Sequence, residues 1–252
     1  MKILIIPDVH GRTFWRQSIE LIDAVDKIIF LGDYLDPYPN IDGIFPHEAL
    51  IEFKDILEFK KSNPNKVILL LGNHDVSYFP EMLDSYACRR WEKSKEEISN
   101  LFMDNLDLFQ LIHIDNNYLF SHAGVQQGWL DFIKQDSFLE FWEIKNKEFF
   151  SAITLDNINM LLTLYEDRIK ALWQMSSERG GRFAYGSCIW ADIYEHLSYF
   201  RDPLPNYYQI FAHSLYYPQL DEYYKDNNIA MLDCAKIFIL ENNELKCWET
   251  TN

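Results

Sequence analysis

The first third of the chain contains three short runs that are apolar at every position. They span residues 3–6, 28–31 and 67–71 and are rich in isoleucine and leucine. A strand without polar alternation is typical of a sheet that is covered on both faces. We therefore predict three neighbouring strands in the buried centre of a sheet.

The segments between these runs have helical spacing. Residues 46–61 repeat apolar side chains at i, i+4, i+7 and i+8, and an Asn-Pro-Asn sequence at 63–65 then ends the helix. The side chains predicted to face the core are Ala49, Phe53, Ile56 and Leu57. Residues 12–24 are predicted to form another helix, with Ile19, Leu21 and Ile22 inward. This alternation predicts a mostly parallel sheet with right-handed crossovers.

The later part of the chain favours strands joined by tight turns. Two pairs of apolar runs each flank an Asn-Asn dipeptide, which tolerates positive φ and so predicts a β-hairpin. The pairs are 110–114 with 118–121, around Asn116-Asn117, and 236–240 with 245–248, around Asn242-Asn243. Further apolar runs lie at 208–212 and 229–232. Residues 126–182 are aromatic and helix-like, so we predict one α/β domain over 1–252 with a helical insertion at about 126–182.

Composition narrows the possible functions. The chain has 252 residues, 48% of them hydrophobic, which is enough for a well-filled core and argues against disorder. Its net charge is -16, and such an acidic surface repels a nucleic-acid polymer. A small anionic substrate stays compatible with this charge if metal cations reverse the field inside a pocket.

Cysteine usage and hydropathy favour a cytoplasmic protein. Cys88, Cys188, Cys234 and Cys247 show no paired spacing, so we expect free thiols in a reducing compartment. The first apolar run is too short for the core of a signal peptide. No apolar stretch approaches the roughly 20 residues that cross a bilayer, so we expect no membrane partner.

A polar cluster follows five of the apolar runs. The clusters are Asp8-Val9-His10-Gly11, Gly32-Asp33-Tyr34-Leu35-Asp36, Gly72-Asn73-His74-Asp75, Ser121-His122-Ala123-Gly124 and Ala212-His213-Ser214. The carboxyl ends of parallel strands share one edge of a sheet, and ligands bind there. We therefore expect these five clusters to converge on one crevice.

The side chains in these clusters form a coherent set of metal ligands. Carboxylate and amide oxygens together with imidazole nitrogens suit divalent ions such as manganese, iron, zinc or magnesium. The candidate ligands are Asp8, His10, Asp33, Asn73, His122 and His213. Six ligands exceed what one ion takes from protein if it keeps open positions, whereas one carboxylate bridging two ions about 3.5–4 Å apart accommodates them. The alternative is that each residue is only a helix cap or turn former.

The five motifs, in this order, resemble the signature of the calcineurin-like metallophosphoesterases. The resemblance runs from Met1 to about Trp248, apart from most of 126–182. The IWAD sequence at 189–192 and the C-terminal residues also resemble the branch that contains serine/threonine phosphoprotein phosphatases and symmetrical diadenosine tetraphosphate hydrolases. The resemblance implies a β-sandwich of two mixed sheets flanked by helices.

The resemblance also implies a role for each ligand. Asp8 and His10 would hold a first metal and Asp33 would bridge; the second metal would be held by Asn73, His122 and His213. We expect manganese as the commonest ion of this pair. Many members of the wider superfamily end in a GHxH motif, but Leu215 stands where its second histidine would be. This departure matches the phosphoprotein phosphatase branch.

The resemblance assigns catalysis to His74 and Asp36. A metal-bridging hydroxide would attack phosphorus directly, without a phosphoenzyme. His74 would then protonate the leaving oxygen, and the Asp36 carboxylate would orient it. His47, His113 and His196 belong to no cluster, so we interpret them as surface or structural residues.

One departure from the resemblance concerns phosphate binding. The phosphoprotein phosphatase motif continues as GDxxDRG, and its arginine clamps phosphate, but Pro37-Tyr38 follows Asp36 here. An arginine fork binds phosphate oxygens in pairs, which proline cannot do. Arg12, Arg179 and Arg182 are the candidates to supply this charge, and Arg182 is the first choice because glycines precede it.

Three functions are compatible with these residues. The first is hydrolysis of phosphomonoesters on a phosphoprotein or a small phosphorylated molecule. The second is hydrolysis of nucleotide polyphosphates, with aromatic residues of the insertion stacking on a base. The third is a non-enzymatic scaffold, which ranks last because such scaffolds lose the catalytic histidine. The oligomeric state is open.

Overall fold

The fold is a sandwich of two mixed β-sheets flanked by helices. The computed structural model describes residues 1–85, 91–197, 204–214, 224–226 and 228–248. The first sheet has the strand order β11-β10-β1-β2-β3-β4, and the second has the order β5-β6-β7-β9-β8. The strands are β1 (Lys2–Ile6), β2 (Lys27–Phe30), β3 (Val67–Leu70), β4 (Phe109–Gln110), β5 (Ile112–Asp115), β6 (Tyr118–Ser121), β7 (Tyr208–Phe211), β8 (Tyr224–Lys225), β9 (Ile229–Met231), β10 (Phe238–Glu241) and β11 (Glu244–Cys247). The predicted fold class is confirmed.

Ten α-helices are present in these ranges, most of them short. They are α1 (Gln17–Glu20), α2 (Pro39–Asp42), α3 (Pro46–Ser62), α4 (Asn73–Val76), α5 (Lys95–Asp104), α6 (Gln127–Phe132), α7 (Asp136–Phe141), α8 (Lys147–Ser151), α9 (Asp167–Leu172) and α10 (Ile193–Leu197). The 3₁₀ segments are Phe14–Arg16, Ile22–Ala24, Pro80–Met82, Glu92–Ser94, Leu106–Leu108, Leu155–Thr163 and Ser177–Arg179.

The first three strands lie side by side and are buried on both faces, as predicted. Strands β1 to β4 run parallel, and β10 pairs antiparallel to β1. Ile28 and Val67 are paired and point into a core shared with helix α3, whereas the next pair, Ile29 and Ile68, faces the second sheet. Each such buried side chain stabilises the fold by about 1.5–3 kcal/mol, which explains the lack of polar alternation.

Helix α3 confirms one helix prediction, and the region before it corrects another. Ala49, Phe53, Ile56 and Leu57 are all buried on the inner face of α3. Residues 12–24, in contrast, form a 3₁₀ turn, the single turn of α1 and a second 3₁₀ turn. Because the helical period is not sustained there, Ile19 is exposed, whereas Leu21 and Ile22 pack half-buried against the main core and Trp15 is fully buried.

The predicted strand 110–114 is two strands in different sheets. Strand β4 pairs with β3 in the first sheet, and β5 pairs with β6 in the second. The chain changes sheets at Leu111, where the Asn159 Oδ1 atom accepts hydrogen bonds from the backbone N–H groups of Leu111 (2.8 Å) and Ile112 (3.1 Å). The Asn116 turn and the Asn242-Asn243 turn have positive φ and close the two predicted hairpins.

The predicted insertion is helical, from α6 to the 3₁₀ turn Ser177–Arg179. Trp129, Phe138 and Phe150 are buried in the main core. The Arg168 guanidinium lies 2.9 Å from Glu81 Oε1 and 4.9 Å from the Phe79 ring centroid, which joins the insertion to the segment after β3.

Two remaining expectations concern cysteines and membranes. Cys188, Cys234 and Cys247 are free thiols, as expected, and Cys88 lies outside the described residues. None of the helices in the described part of the chain is long and apolar enough to cross a membrane.

Candidate functional site

Five loops that follow strands meet at one edge of the sandwich. They leave the carboxyl ends of β1, β2, β3, β6 and β7. A cavity of about 490 Å³ opens there. Five of the six predicted ligand residues line it, and the sixth, His122, is fully buried against the others. The structure therefore brings all six side chains together.

The ligand side chains form two groups that share Asp33. One group is Asp8, His10 and Asp33, and the other is Asp33, His122 and His213. Within each group, one ligand atom from each residue lies within 4.8 Å of the others. Asn73 joins the second group, because its Oδ1 atom is 3.0 Å from His122 Nε2. Asp33 is thus the residue that the two groups have in common.

Two histidine rings are oriented so that an unprotonated nitrogen faces the cluster. His10 Nδ1 lies 2.7 Å from the Leu35 carbonyl oxygen, and His122 Nδ1 lies 2.9 Å from that of Leu31. A carbonyl oxygen only accepts hydrogen bonds, so Nδ1 is the protonated nitrogen in each ring. Burial lowers the pKa of His122 to about 3 and lowers the pKa of His10 well below its usual range, which favours the neutral form of each ring.

The facing atoms are therefore electron donors that meet other electron donors. His122 Nε2 lies 3.0 Å from Asn73 Oδ1 and 3.5 Å from Asp33 Oδ2. Lone pairs that face each other at these distances repel, and a cation between them turns the repulsion into coordination. The donor set thus fits divalent metal ions.

The buried carboxyl groups are a second indication that this site binds cations. Asp8 Oδ1 is buried and finds no hydrogen-bond donor among the described residues. Burial raises the pKa of Asp8 and Asp33 well above the usual range, and the neighbouring Asp233 carboxyl group adds to this at Asp8. An uncompensated buried carboxylate costs several kcal/mol, and two nearby cations would offset this cost.

The backbone of the site is strained at the ligand positions. His10, Asp33, Asp36 and His213 all have positive φ, between 46° and 67°. Each costs about 1–2 kcal/mol for a residue with a Cβ atom, and such strain concentrates at functional sites. Gly72 is needed for a different reason: a Cβ atom there would lie 2.1 Å from Asp33 Oδ1.

Asp75 holds the loops that carry Asp33 and Asn73. Its carboxylate accepts hydrogen bonds from the backbone N–H groups of Gly72 (2.8 Å), Asp33 (2.8 Å) and Tyr34 (3.0 Å). Asp75 is fully buried. Asp75 thus caps the start of helix α4 and also holds the loop that follows β2.

His74 and Asp36 form a hydrogen-bonded pair beside the ligands. His74 Nδ1 lies 2.9 Å from Asp36 Oδ2, and the His74 backbone N–H donates to Asp33 Oδ1 at 3.0 Å. The His74 ring contacts the His10 ring edge-on at 5.1 Å between centroids. His74 also lines the cavity, so it is within reach of a molecule bound there.

The cavity contains two of the three candidate arginines. Arg12 is bound to Asp42, and the Arg179 guanidinium is 2.7 Å from Asp192 Oδ2 and donates to Ser214 Oγ at 2.7 Å. The first choice, Arg182, is exposed and lies outside this lining. The reason is local: the 3₁₀ turn at 177–179 ends at Gly180 with φ of 75°, which redirects the chain before Arg182.

The aromatic wall of the cavity does not come from the insertion. Tyr38, Trp190 and Tyr194 line it, and Ile41 and Tyr194 are more than half exposed at the cavity. Arg179 is the insertion residue in this lining. The expectation that insertion aromatics face the substrate is therefore wrong for the described cavity, since Trp129, Phe138 and Phe150 fill the core. Leu215 lies outside the described residues.

Sequence reasoning did not select three further residues at the site. Asp233 follows β9 and lines the cavity, so the strand-end rule used for the other ligands would have found it. Asp192, the last residue of the IWAD sequence, binds Arg179, and Tyr78 binds Asp36. The IWAD sequence marks Asp192 but not its partner, and no local pattern marks Tyr78, because both partners are distant in the sequence.

The three remaining histidines lie outside the site, as interpreted. His47 is exposed and stacks on Phe45, and His113 lies 3.1 Å from Lys27 Nζ. His196 is buried with Nε2 3.1 Å from the Ala123 carbonyl oxygen. None of the three lines the described cavity.

Comparison with known proteins gives a family and a relative. The calcineurin-like phosphoesterase family matches residues 1–217. A symmetrical bis(5'-nucleosyl)-tetraphosphatase of Nitrosospira multiformis is 27% identical over 143 residues, which is 51% of this chain and 46% of that protein. The chain thus spans about half the length of this curated relative.

Solved structures show the same fold. A cold-active protein-tyrosine phosphatase of a psychrophilic Shewanella species superposes with a TM-score of 0.59 and 16% identity, covering 98% of this chain and 80% of that one. A second structure of a cold-active protein tyrosine phosphatase gives a TM-score of 0.60 and 17% identity, covering 97% and 75%.

Proposed function

The chain belongs to the calcineurin-like phosphoesterase family, and we propose that it is a phosphoric ester hydrolase whose cavity hydrolyses phosphomonoesters with two divalent metal ions. One observation carries the proposal. Asp33 is shared by two ligand groups whose unprotonated nitrogens and carboxylate oxygens face each other, with His74 beside them. The substrate is a phosphorylated protein side chain or a small phosphorylated molecule.

Each of the two ligand groups would hold one metal ion. Asp8, His10 and Asp33 would hold one ion, and Asp33, Asn73, His122 and His213 the other. Manganese is the proposed ion, since it accepts this mixture of carboxylate, amide and imidazole ligands. When bound, such ions would neutralise phosphate charge and lower the pKa of a water molecule at the site.

The protein's own side chains complete the reaction. His74 holds its Nδ1 proton toward Asp36, which leaves Nε2 as the nitrogen that gives a proton to the leaving oxygen. Asp36 stabilises the charged form of the ring while it carries that proton. Arg12 and Arg179 neutralise the phosphate from the cavity wall.

Charge balance favours a monoester over a longer phosphate chain. Two arginines and four carboxylates line the cavity: Arg12, Arg179, Asp8, Asp33, Asp192 and Asp233. With two divalent cations and with Asp42, which binds Arg12, the formal charge of this wall would be about +1, closer to the charge of one phosphomonoester dianion than to that of a tetraphosphate chain. A tetraphosphate chain brings more negative charge than these residues balance.

The first test is an assay of metal-stripped protein reloaded with Mn²⁺, Fe²⁺, Zn²⁺ or Mg²⁺. The substrates are a phosphomonoester, a phosphopeptide, a phosphodiester and diadenosine tetraphosphate. We expect no turnover without metal, and the highest kcat/KM with Mn²⁺ on a monoester. Faster hydrolysis of diadenosine tetraphosphate would contradict the monoester proposal, and inactivity on every substrate with every metal would favour the scaffold alternative.

The second test asks whether Arg179 or Arg182 binds the phosphate group of the substrate. Arg179→Ala should raise KM for the best substrate about 10- to 100-fold, because a hydrogen bond to a charged group is worth about 1.5–3 kcal/mol. Arg182→Ala is the matched control, since Arg182 is exposed and outside the cavity. Steady-state kinetics measures both values. Equal KM values for the Arg179 variant and wild type would remove Arg179 from phosphate binding.

Nucleotide polyphosphate hydrolysis is the second candidate. The tetraphosphatase relative favours it, and so do the exposed Ile41 and Tyr194 at the cavity, which offer apolar surface to a base. The substrate comparison above decides between the two candidates.

A further inference from the structure

A chain of hydrogen bonds leads from His74 into the protein interior. Asp36 uses one carboxylate oxygen for His74 Nδ1, at 2.9 Å. The other oxygen, Oδ1, accepts a hydrogen bond from the Tyr78 hydroxyl at 2.6 Å. The Tyr78 oxygen in turn accepts a hydrogen bond from the Trp91 backbone N–H at 2.8 Å. Tyr78 is fully buried and Asp36 is 5% exposed.

The direction of these hydrogen bonds is fixed by chemistry. A backbone N–H group only donates, so the Trp91 bond occupies an acceptor position of the Tyr78 oxygen. The Tyr78 proton is then available to Asp36, which as a carboxylate only accepts. Asp36 is also held in a strained conformation with φ of 59°. The hydrogen bond from the Tyr78 hydroxyl thus helps to hold Asp36 in a backbone conformation that costs free energy.

We infer that Tyr78 is a positioning residue for proton donation by His74, an inference that rests on the proposed phosphomonoesterase function. Tyr78 fixes Asp36 so that Oδ2 stays aimed at His74 Nδ1. This holds the ring in the tautomer and rotation that present Nε2 to the leaving oxygen. The described hydrogen bonds of Tyr78 join it to Asp36 and Trp91, which are neither candidate metal ligands nor part of the cavity lining.

This role makes a prediction about leaving groups. An alkyl phosphate expels an alkoxide, which needs a proton in the transition state, whereas 4-nitrophenyl phosphate expels a stable phenolate that needs little help. Loss of positioning should therefore slow the alkyl ester and spare the aryl ester. A general defect in folding or metal content would slow both equally.

The experiment compares Tyr78→Phe with wild type on glycerol phosphate and 4-nitrophenyl phosphate, with metal content measured in the same samples. We expect kcat for glycerol phosphate to fall about tenfold, with KM unchanged and kcat for 4-nitrophenyl phosphate within about twofold of wild type. Tyr34→Phe is the matched control. Tyr34 is also fully buried, but its hydroxyl donates to the Leu70 carbonyl oxygen at 2.7 Å. This variant should leave the ratio of the two kcat values unchanged.

Two results would overturn the inference. If Tyr78→Phe has the wild-type ratio of kcat values, whether both rates fall or neither does, Tyr78 has no positioning role. If wild type with metal hydrolyses neither ester, the proposed function fails and the inference fails with it. Activity of the wild-type protein therefore distinguishes the two failures.

Discussion

His74→Ala should lower kcat for an alkyl phosphomonoester by about a thousandfold, because a positioned general acid contributes about 10²- to 10⁴-fold. The loss should be smaller for 4-nitrophenyl phosphate, whose leaving group needs less protonation. The variant should still bind two metal ions, since the His74 side chain belongs to neither ligand group. Steady-state kinetics and elemental analysis of the purified variant measure the two effects.

His47→Ala is the control for this experiment. It removes the same side chain from an exposed position whose ring stacks on Phe45, outside the described cavity. It should keep wild-type kcat and metal content. Wild-type turnover of the alkyl ester by the His74 variant would show that another group donates the proton.

Asp33→Asn should reduce metal binding more than His74→Ala does, because Asp33 is the residue that both ligand groups share. Asparagine tolerates the positive φ of 52° at this position, so the backbone is preserved while one negative charge is lost. We expect fewer than two ions per chain and kcat lower by at least about a thousandfold. Isothermal titration with Mn²⁺ into stripped protein measures the number of sites.

Asp23→Asn provides the comparison, since Asp23 is exposed and lies in the short 3₁₀ turn before β2. The Asp23 variant loses the same negative charge as the Asp33 variant but should retain two Mn²⁺ sites. Two sites of unchanged affinity in the Asp33 variant would rule out a bridging carboxylate.

The centre of this fold and the convergence of the candidate ligand residues could be predicted from the sequence because local rules govern them. Strands that are apolar at every position must be covered on both faces, as Ile28 and Ile29 show by facing opposite cores. Residues that follow parallel strands share one edge of the sheet, which is why His10 and Asn73 line the same cavity. The family predicted from five ordered motifs is confirmed by the match over residues 1–217.

The features that could not be predicted depend on long-range packing. Arg179 and Arg182 have similar sequence surroundings, but Arg179 lines the cavity, where Asp192 and Ser214 bind it, and Arg182 does not. Tyr78 resembles any core tyrosine until Asp36 is placed beside it. The apolar run 110–114 contains no signal that the chain changes sheets at Leu111.

Anomalous diffraction from crystals grown with Mn²⁺ tests the central claim most directly. The account predicts two manganese peaks about 3.5–4 Å apart, one on each side of Asp33, with His10 near the first and His213 near the second. A map with no manganese peak at Asp33 would contradict it. So would a single peak elsewhere in the protein with none of the six candidate side chains bound to it.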